Sequence, residues 1–147
     1  MMRYAYPATV ERTDDGFYLV LFPDVLEAGA DGRTREEALH EASVTLGAAL
    51  AGYVKEGRAL PRPSEPRPGQ RVVPVPVQVA ASLALRGAMR AQGITNVELG
   101  RRLGINERAV RRLVDPDHHS TIERLSRALA VVEHDLVVED CQHTDAA

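Results

Sequence analysis

Thr95 to Val114, TNVELGRRLGINERAVRRLV, constrains the fold more than any other stretch, because it has the spacing of two short helices joined by a tight turn. Thr95 stands where a first helix would be capped, and Glu98 three residues on completes a capping box. Gly100 is small where two helices must approach closely. Gly104 is free to take the left-handed conformation that ends a helix. Asn106 then caps a second helix. Ala109, Val110 and Leu113 recur at helical spacing and are expected to face inward, against Val97, Leu99 and Leu103. Glu107, Arg108, Arg111 and Arg112 are left pointing out, which suits a recognition helix in a major groove. An ordinary helical hairpin with a solvated arginine face is the alternative. The agreement of caps, glycines and apolar frame favours DNA binding.

Charge is distributed to match. Residues 1–70 carry eight basic and eleven acidic side chains, residues 71–134 ten basic and six acidic, and residues 135–147 four acidic and no basic. Positive charge is thus concentrated around the two-helix motif, as phosphate contact requires. The acidic front half would repel DNA and attract a basic partner. With 44% hydrophobic and 27% charged residues, the composition is that of a soluble globular protein, and no apolar run approaches the ~20 residues of a membrane span. No apolar signal core stands at the N-terminus, and Cys141 has no second cysteine to pair with, so a cytoplasmic location is expected.

Tyr4, Tyr6, Ala8 and Val10 alternate as in a half-buried strand, and Pro7 implies an open side there. Asp14-Asp15-Gly16 marks a turn into Phe17–Phe22, an apolar central strand, and a third strand is expected over Leu26–Ala30. Thr34 and Glu37 form a second capping box. Ala38, Leu39, Ala42, Leu46, Ala49, Leu50 and Tyr53 lie along one face of the helix that follows, with Gly57 as its stop. Four prolines between Pro61 and Pro68 impose an extended segment, and Arg71–Val79 returns to strand character at a sheet edge marked by Pro74 and Pro76. A helix over Ala80–Gln92 precedes the two-helix motif. Ser120 with Glu123 suggests a third capping box before a last helix, whose buried face is Ile122, Leu125, Leu129 and Val132. Leu136-Val137-Val138 is expected to form a short closing strand, and residues 141–147 a tail. The chain therefore divides into a βββαβ domain over 1–78, with a proline-rich loop at 58–70, and a helical domain over 79–140. The fold class is α+β, and the four short helices resemble the DNA-binding domain of lambda-repressor-like proteins.

The front domain resembles the N-terminal domain of HicB antitoxins of bacterial toxin–antitoxin pairs. The residues carrying the likeness are Tyr6-Pro7-Ala8, Asp15-Gly16-Phe17-Tyr18, Phe22-Pro23-Asp24, Gly32-Arg33-Thr34 leading into Glu36-Glu37-Ala38-Leu39, Ala42, and Leu60-Pro61-Arg62-Pro63-Ser64. The back half is similar to the helix-turn-helix tail of one HicB subgroup, through Val97–Gly104, Val110-Arg111-Arg112-Leu113 and Asp115-Pro116. The resemblance implies a reduced ribonuclease-H-like front domain without that enzyme's activity. It implies binding to a HicA toxin, a small basic protein that cleaves messenger RNA, and repression of the operon by a dimer or higher oligomer. The chain departs from its relatives at Asp117-His118-His119, where basic residues are common, and over Glu27–Gly29, where a Gly-Cys pair is.

A surviving nuclease would need carboxylates converging on metal ions ~3.5–4 Å apart. Of the available acids, Asp14, Asp15, Asp24 and Asp31, the first two are better explained as turn formers and Asp24 as a strand end, and no acid interrupts Phe17–Phe22. Neither catalysis nor a cofactor is expected. His118-His119 lacks a third ligand nearby, so no metal site is expected either. Arg101 and Arg102 on the first helix are the candidates for phosphate contact, and Thr95 and Asn96 at its start are further DNA-binding candidates. Asn106, Glu107, Arg108, Arg111 and Arg112 are the candidates on the recognition helix, and internal pairing with Glu98 or Glu123 is the competing role for the arginines. Charge suggests Asp24, Glu27 and Asp31 for the toxin face. The partners expected are a HicA-like toxin, double-stranded operator DNA and a second copy of the chain. The rival function is a stand-alone transcription regulator whose front domain senses a ligand or dimerises.

Overall fold

The computed structural model describes residues 1–143, so most of the 141–147 tail lies outside the described residues. Two compact units emerge, Met1–Pro76 and Val77–Asp140. In the first, β1 (Ala5–Arg12) and β2 (Tyr18–Leu21) form an antiparallel hairpin, followed by β3 (Gly29–Gly32), α1 (Arg35–Lys55) and β4 (Arg71–Pro74). The sheet order is β3-β2-β1-β4, with every neighbouring pair antiparallel. The hairpin turns where Asp14-Asp15-Gly16 asks it to: Gly16 has φ +87° and its amide donates to the Thr13 carbonyl at 2.9 Å. β1 pairs with β4 over Ala5–Ala8 and with β2 over Thr9–Arg12. Pro7 therefore occupies the half of the strand that has a neighbour on one side only, where its missing donor costs nothing.

The third strand runs over Gly29–Gly32 and not Leu26–Ala30. Two successive turns, Val25 N–H to the Phe22 carbonyl and Ala28 N–H to the Val25 carbonyl, use up the residues in between. They bury Val25 and Ala28 and leave Leu26 exposed. Gly32 then lies against α1, where an added Cβ would sit 2.6 Å from the Ala38 backbone nitrogen. Thr34 caps α1 by accepting from the Glu37 amide at 3.1 Å, and the Glu37 carboxylate reaches back to the Arg33 amide at 3.1 Å. Ala38, Ala42, Leu46, Gly47, Leu50 and Ala51 are the buried side of the helix, packed over Tyr6, Ala8, Val20 and Val73 of the sheet. Leu39, Ala49 and Tyr53 are only half-buried. The 58–70 segment has no helix or strand and is tied down from the sheet. The Tyr6 hydroxyl donates to the Pro61 carbonyl at 2.7 Å, and Asp24 Oδ2 accepts from the Ser64 amide and hydroxyl at 2.8 and 3.0 Å.

β4 stops at Pro74, and α2 (Val77–Gln92) starts three residues before Ala80. Pro74 and Pro76 have no amide to extend the ladder towards Val79, and proline is tolerated at a helix start. α3 (Asn96–Leu103), α4 (Glu107–Val114) and α5 (Ile122–Val131) complete the second unit. Its core joins Leu85 and Met89 of α2, Leu99, Val110, Leu113 and Val114 of α3 and α4, and Leu125, Leu129 and Val132 around α5. Each leucine so buried contributes roughly 2 kcal/mol by removal from water. Three expectations fail here. Thr121, not Ser120, caps α5, accepting from the Arg124 amide at 3.3 Å, while Ser120 is buried with its own amide donating to the His118 carbonyl. Val97 is 73% exposed. Two positions before Leu99, it lies about 200° around the helix from that buried residue. Leu136–Val138 forms no strand: Leu136 packs on the helical core, Val137 and Val138 are exposed, and every element of this unit is a helix.

Candidate functional site

In the helical unit, α3 and α4 are set by their own sequence. Thr95 Oγ1 accepts from the Glu98 amide at 3.2 Å, and Asn106 Oδ1 accepts from the Ala109 amide at 2.9 Å. Gly104 ends α3 at φ +67°. Gly100 lets α4 come close: a Cβ there would stand 3.0 Å from the Ile105 carbonyl and 3.1 Å from a Val110 methyl. Val110, Leu113 and Val114 bury one side of α4, and Glu107, Arg108, Arg111 and Arg112 occupy the exposed side. Ala109 is half-buried.

The candidate residues then separate by what already holds them. Arg108 is exposed and makes no ion pair or hydrogen bond among the described residues. Arg111 pairs with Glu107 one turn back at 2.9 Å, both side chains well exposed. Asn106 already accepts the capping hydrogen bond on its carboxamide oxygen, which leaves one lone pair and its amide group for any further contact. Thr95 is likewise committed as a cap, with Asn96 half-buried beside it. The Glu98 carboxylate collects both neighbouring arginines, Arg101 at 2.6 Å and Arg102 at 2.9 Å. Hydrogen bonds from Arg101 first and Arg102 second hold it down at about 2. Arg101 remains 72% exposed, whereas Arg102, at 35%, also donates to the Val131 carbonyl at 3.0 Å and so fastens α3 to the end of α5.

Sequence reasoning missed a cleft of about 280 Å³ between α4 and α5. Its floor is Leu103, Ile105 and Leu113, and Arg112, His118, Arg124 and Arg127 stand around it. Arg124 and Arg127 lie three apart on one helix in the basic stretch of the chain, which was the available signal.

In the sheet unit the three acids proposed from charge differ in what already holds them. Asp24 is bonded to Ser64. Glu27 accepts from the Tyr53 hydroxyl at 2.7 Å and pairs with Arg58 at 3.4 Å, and Arg58 stacks 3.9 Å above the Tyr53 ring. The Tyr53 hydrogen bond is the main cause of a lowered Glu27 pKa. Asp31 alone stays exposed on β3 and unpaired among the described residues. Among the described residues no three His, Cys, Asp or Glu side chains form a metal-binding group, and no helix is long and apolar enough to cross a membrane.

The architecture defines a two-unit α+β protein, an antiparallel sheet covered by one long helix and followed by a four-helix unit. Residues 5–84 match the family described as the HicB-like antitoxin of bacterial toxin–antitoxin systems. Over most of its length the chain is also similar to curated antitoxins. It is 34% identical to Antitoxin HicB 1 of Photorhabdus laumondii over 133 residues, covering 90% of this chain and 84% of that protein. It is 30% identical to Antitoxin HicB of Escherichia coli K12 over 131 residues, 89% of this chain and 95% of that one. Antitoxin HicB of Pseudomonas fluorescens is 37% identical over 107 residues, 72% of this chain and 73% of that protein. The chain belongs to the HicB-like antitoxin family, and that membership supports an antitoxin role.

Proposed function

We propose that this antitoxin works by occupying two surfaces and catalyses nothing. The sheet unit covers a small, basic, mRNA-cleaving HicA-like toxin; the helical unit binds the promoter of the pair's own operon and represses it. α3 and α4 form the helix-turn-helix, with α4 in the major groove. Arg108 and Arg111 reach base edges, and Arg101 contacts phosphate. A dimer would place two such helices at half-sites about one helical turn, ~34 Å, apart. Both partners are cytoplasmic, and so is the antitoxin.

One observation carries the DNA half of this proposal: α4 turns its apolar residues inward and keeps Arg108 and Arg111 exposed, one unpaired and one in a weak surface pair. The family relation carries the toxin half. The test is co-expression with the neighbouring open reading frame, together with binding of the purified chain to the upstream duplex. Growth rescue and salt-sensitive, sequence-selective binding are expected. Growth arrest that the chain does not relieve overturns the first half, and equal affinity for promoter and scrambled duplex overturns the second.

A further inference from the structure

The sheet has two faces, and α1 covers one. The strand register writes out the other. Glu11 pairs with Leu19 and Leu19 with Asp31, so these three lie in one row across β1, β2 and β3. The next row is Thr9, Leu21 and Gly29. Alternation places these side chains opposite Val20, which packs towards α1. Leu21 is 43% exposed and Leu19 half-buried, whereas Glu11 and Asp31 are exposed and make no ion pair or hydrogen bond among the described residues. Two strand spacings of ~4.8 Å set the two carboxylate-bearing positions roughly 10 Å apart, with an apolar side chain between them. At the hairpin end this face deepens into a hollow of about 270 Å³ lined by Thr13, Asp15, Phe17, Leu19 and Asp31.

We propose that the exposed part of this sheet face, with Leu19 and Leu21 at its centre and Glu11 and Asp31 flanking them, is the docking surface for the basic toxin. The proposal rests on the toxin-neutralising function above and assigns its surface. An arginine or lysine of the toxin lays its aliphatic stem across the two leucines and brings its charged head to the flanking carboxylates. Charge selects this occupant over the others. Nucleic acid is repelled by Glu11, Asp15 and Asp31, and a second copy presenting the same face would set carboxylate against carboxylate. The assignment replaces Asp24 and Glu27, whose carboxylates are held by Ser64 and by Tyr53 with Arg58.

The test is calorimetric titration of the full chain with the purified toxin from the neighbouring open reading frame. Glu11→Lys with Asp31→Lys reverses the flanking charge, Leu21→Ser removes an apolar contact, and Glu36→Lys with Glu41→Lys makes the same net change on exposed positions of α1. Thermal melts establish that each variant is folded. The sheet-face double variant should weaken binding by at least about tenfold, and less so at high salt. Leu21→Ser should weaken it at any salt, and the α1 pair should stay within about threefold. Equal losses from both charge-reversed pairs, or none from the sheet-face variants, overturn the assignment while leaving neutralisation standing. Failure of the unmodified chain to bind the toxin overturns neutralisation itself.

Discussion

Arg108→Ala separates recognition from folding more cleanly than any other change. The side chain projects from α4 without an internal partner among the described residues, so removing it takes nothing from the native helical unit. On a promoter duplex the loss of a bidentate base contact should cost about 1–3 kcal/mol, roughly 5- to 150-fold in Kd. Arg111→Ala should cost less, because Arg111 must first leave Glu107, and an exposed pair one helical turn apart is worth about 0.3–0.5 kcal/mol. Arg102→Ala should behave differently again. It breaks the link to the Val131 carbonyl and loosens the packing of α3 against α5, so its effect should be on unfolding. Fluorescence anisotropy at one fixed salt concentration, on promoter and scrambled duplexes, reads the first two, and urea unfolding reads the third. If Arg108→Ala leaves promoter affinity unchanged, the assignment of α4 to the groove is wrong. An equal loss on both duplexes makes Arg108 a phosphate contact instead.

Gly100→Ala should lower the stability of the helical unit by about 1 kcal/mol in urea titration. The ~1 kcal/mol gained from helix propensity is outweighed by ~1–3 kcal/mol of overpacking against a backbone carbonyl that has little room to move. Glu98, held at about 2 against an ordinary 4.5, contributes its arginine pairs fully above pH 4.5 and loses them as pH falls towards 2. Stability of this unit should therefore decline over that window, more steeply at low salt, and Glu98→Gln should remove the slope there. Asp24→Ala should release the proline-rich segment, speeding hydrogen exchange at the Ser64 amide by about fivefold or more, with little change in global stability.

Much of the framework was legible because short-range chemistry determines it. The caps at Thr34, Thr95 and Asn106, the turn at Gly16 and the helix end at Gly104 each depend on residues within four positions of one another. What was misplaced depends on partners further away. Leu136-Val137-Val138 has strand composition, but a strand exists only where another edge can pair with it, and the helical unit offers none. Val97 continues the hydrophobic pattern in the sequence while lying on the wrong side of α3, because eight residues give too few turns for composition to fix the buried face. Ser120 with Glu123 fits the capping-box spacing and Thr121 with Arg124 does not, yet Ser120 is buried and Thr121 is the cap.

The functional residues divide along the same line. Charge alone nominated Asp24, Glu27 and Asp31 together, since a sequence shows the sign of a side chain but not whether it is already neutralised. Folding brings Ser64 to Asp24 across 40 positions and Tyr53 to Glu27 across 26, and both acids are taken up in holding the unit together. Asp31 is left, and the strand register adds Glu11, a residue that charge had not singled out. The arginines of α3 and α4 are sorted in the same way: Arg102 is drawn into the fold by Val131, Arg101 is shared with Glu98, and Arg108 is left unengaged. A charge that the native chain has not paired is one that binding need not first release, so its full interaction is available to a partner. On that criterion Arg108, with Arg112 beside it on α4, and the Glu11–Asp31 pair should be the most sensitive charged positions on their respective surfaces. Asp24, Glu27 and Arg102 should reveal themselves in stability before they do in affinity.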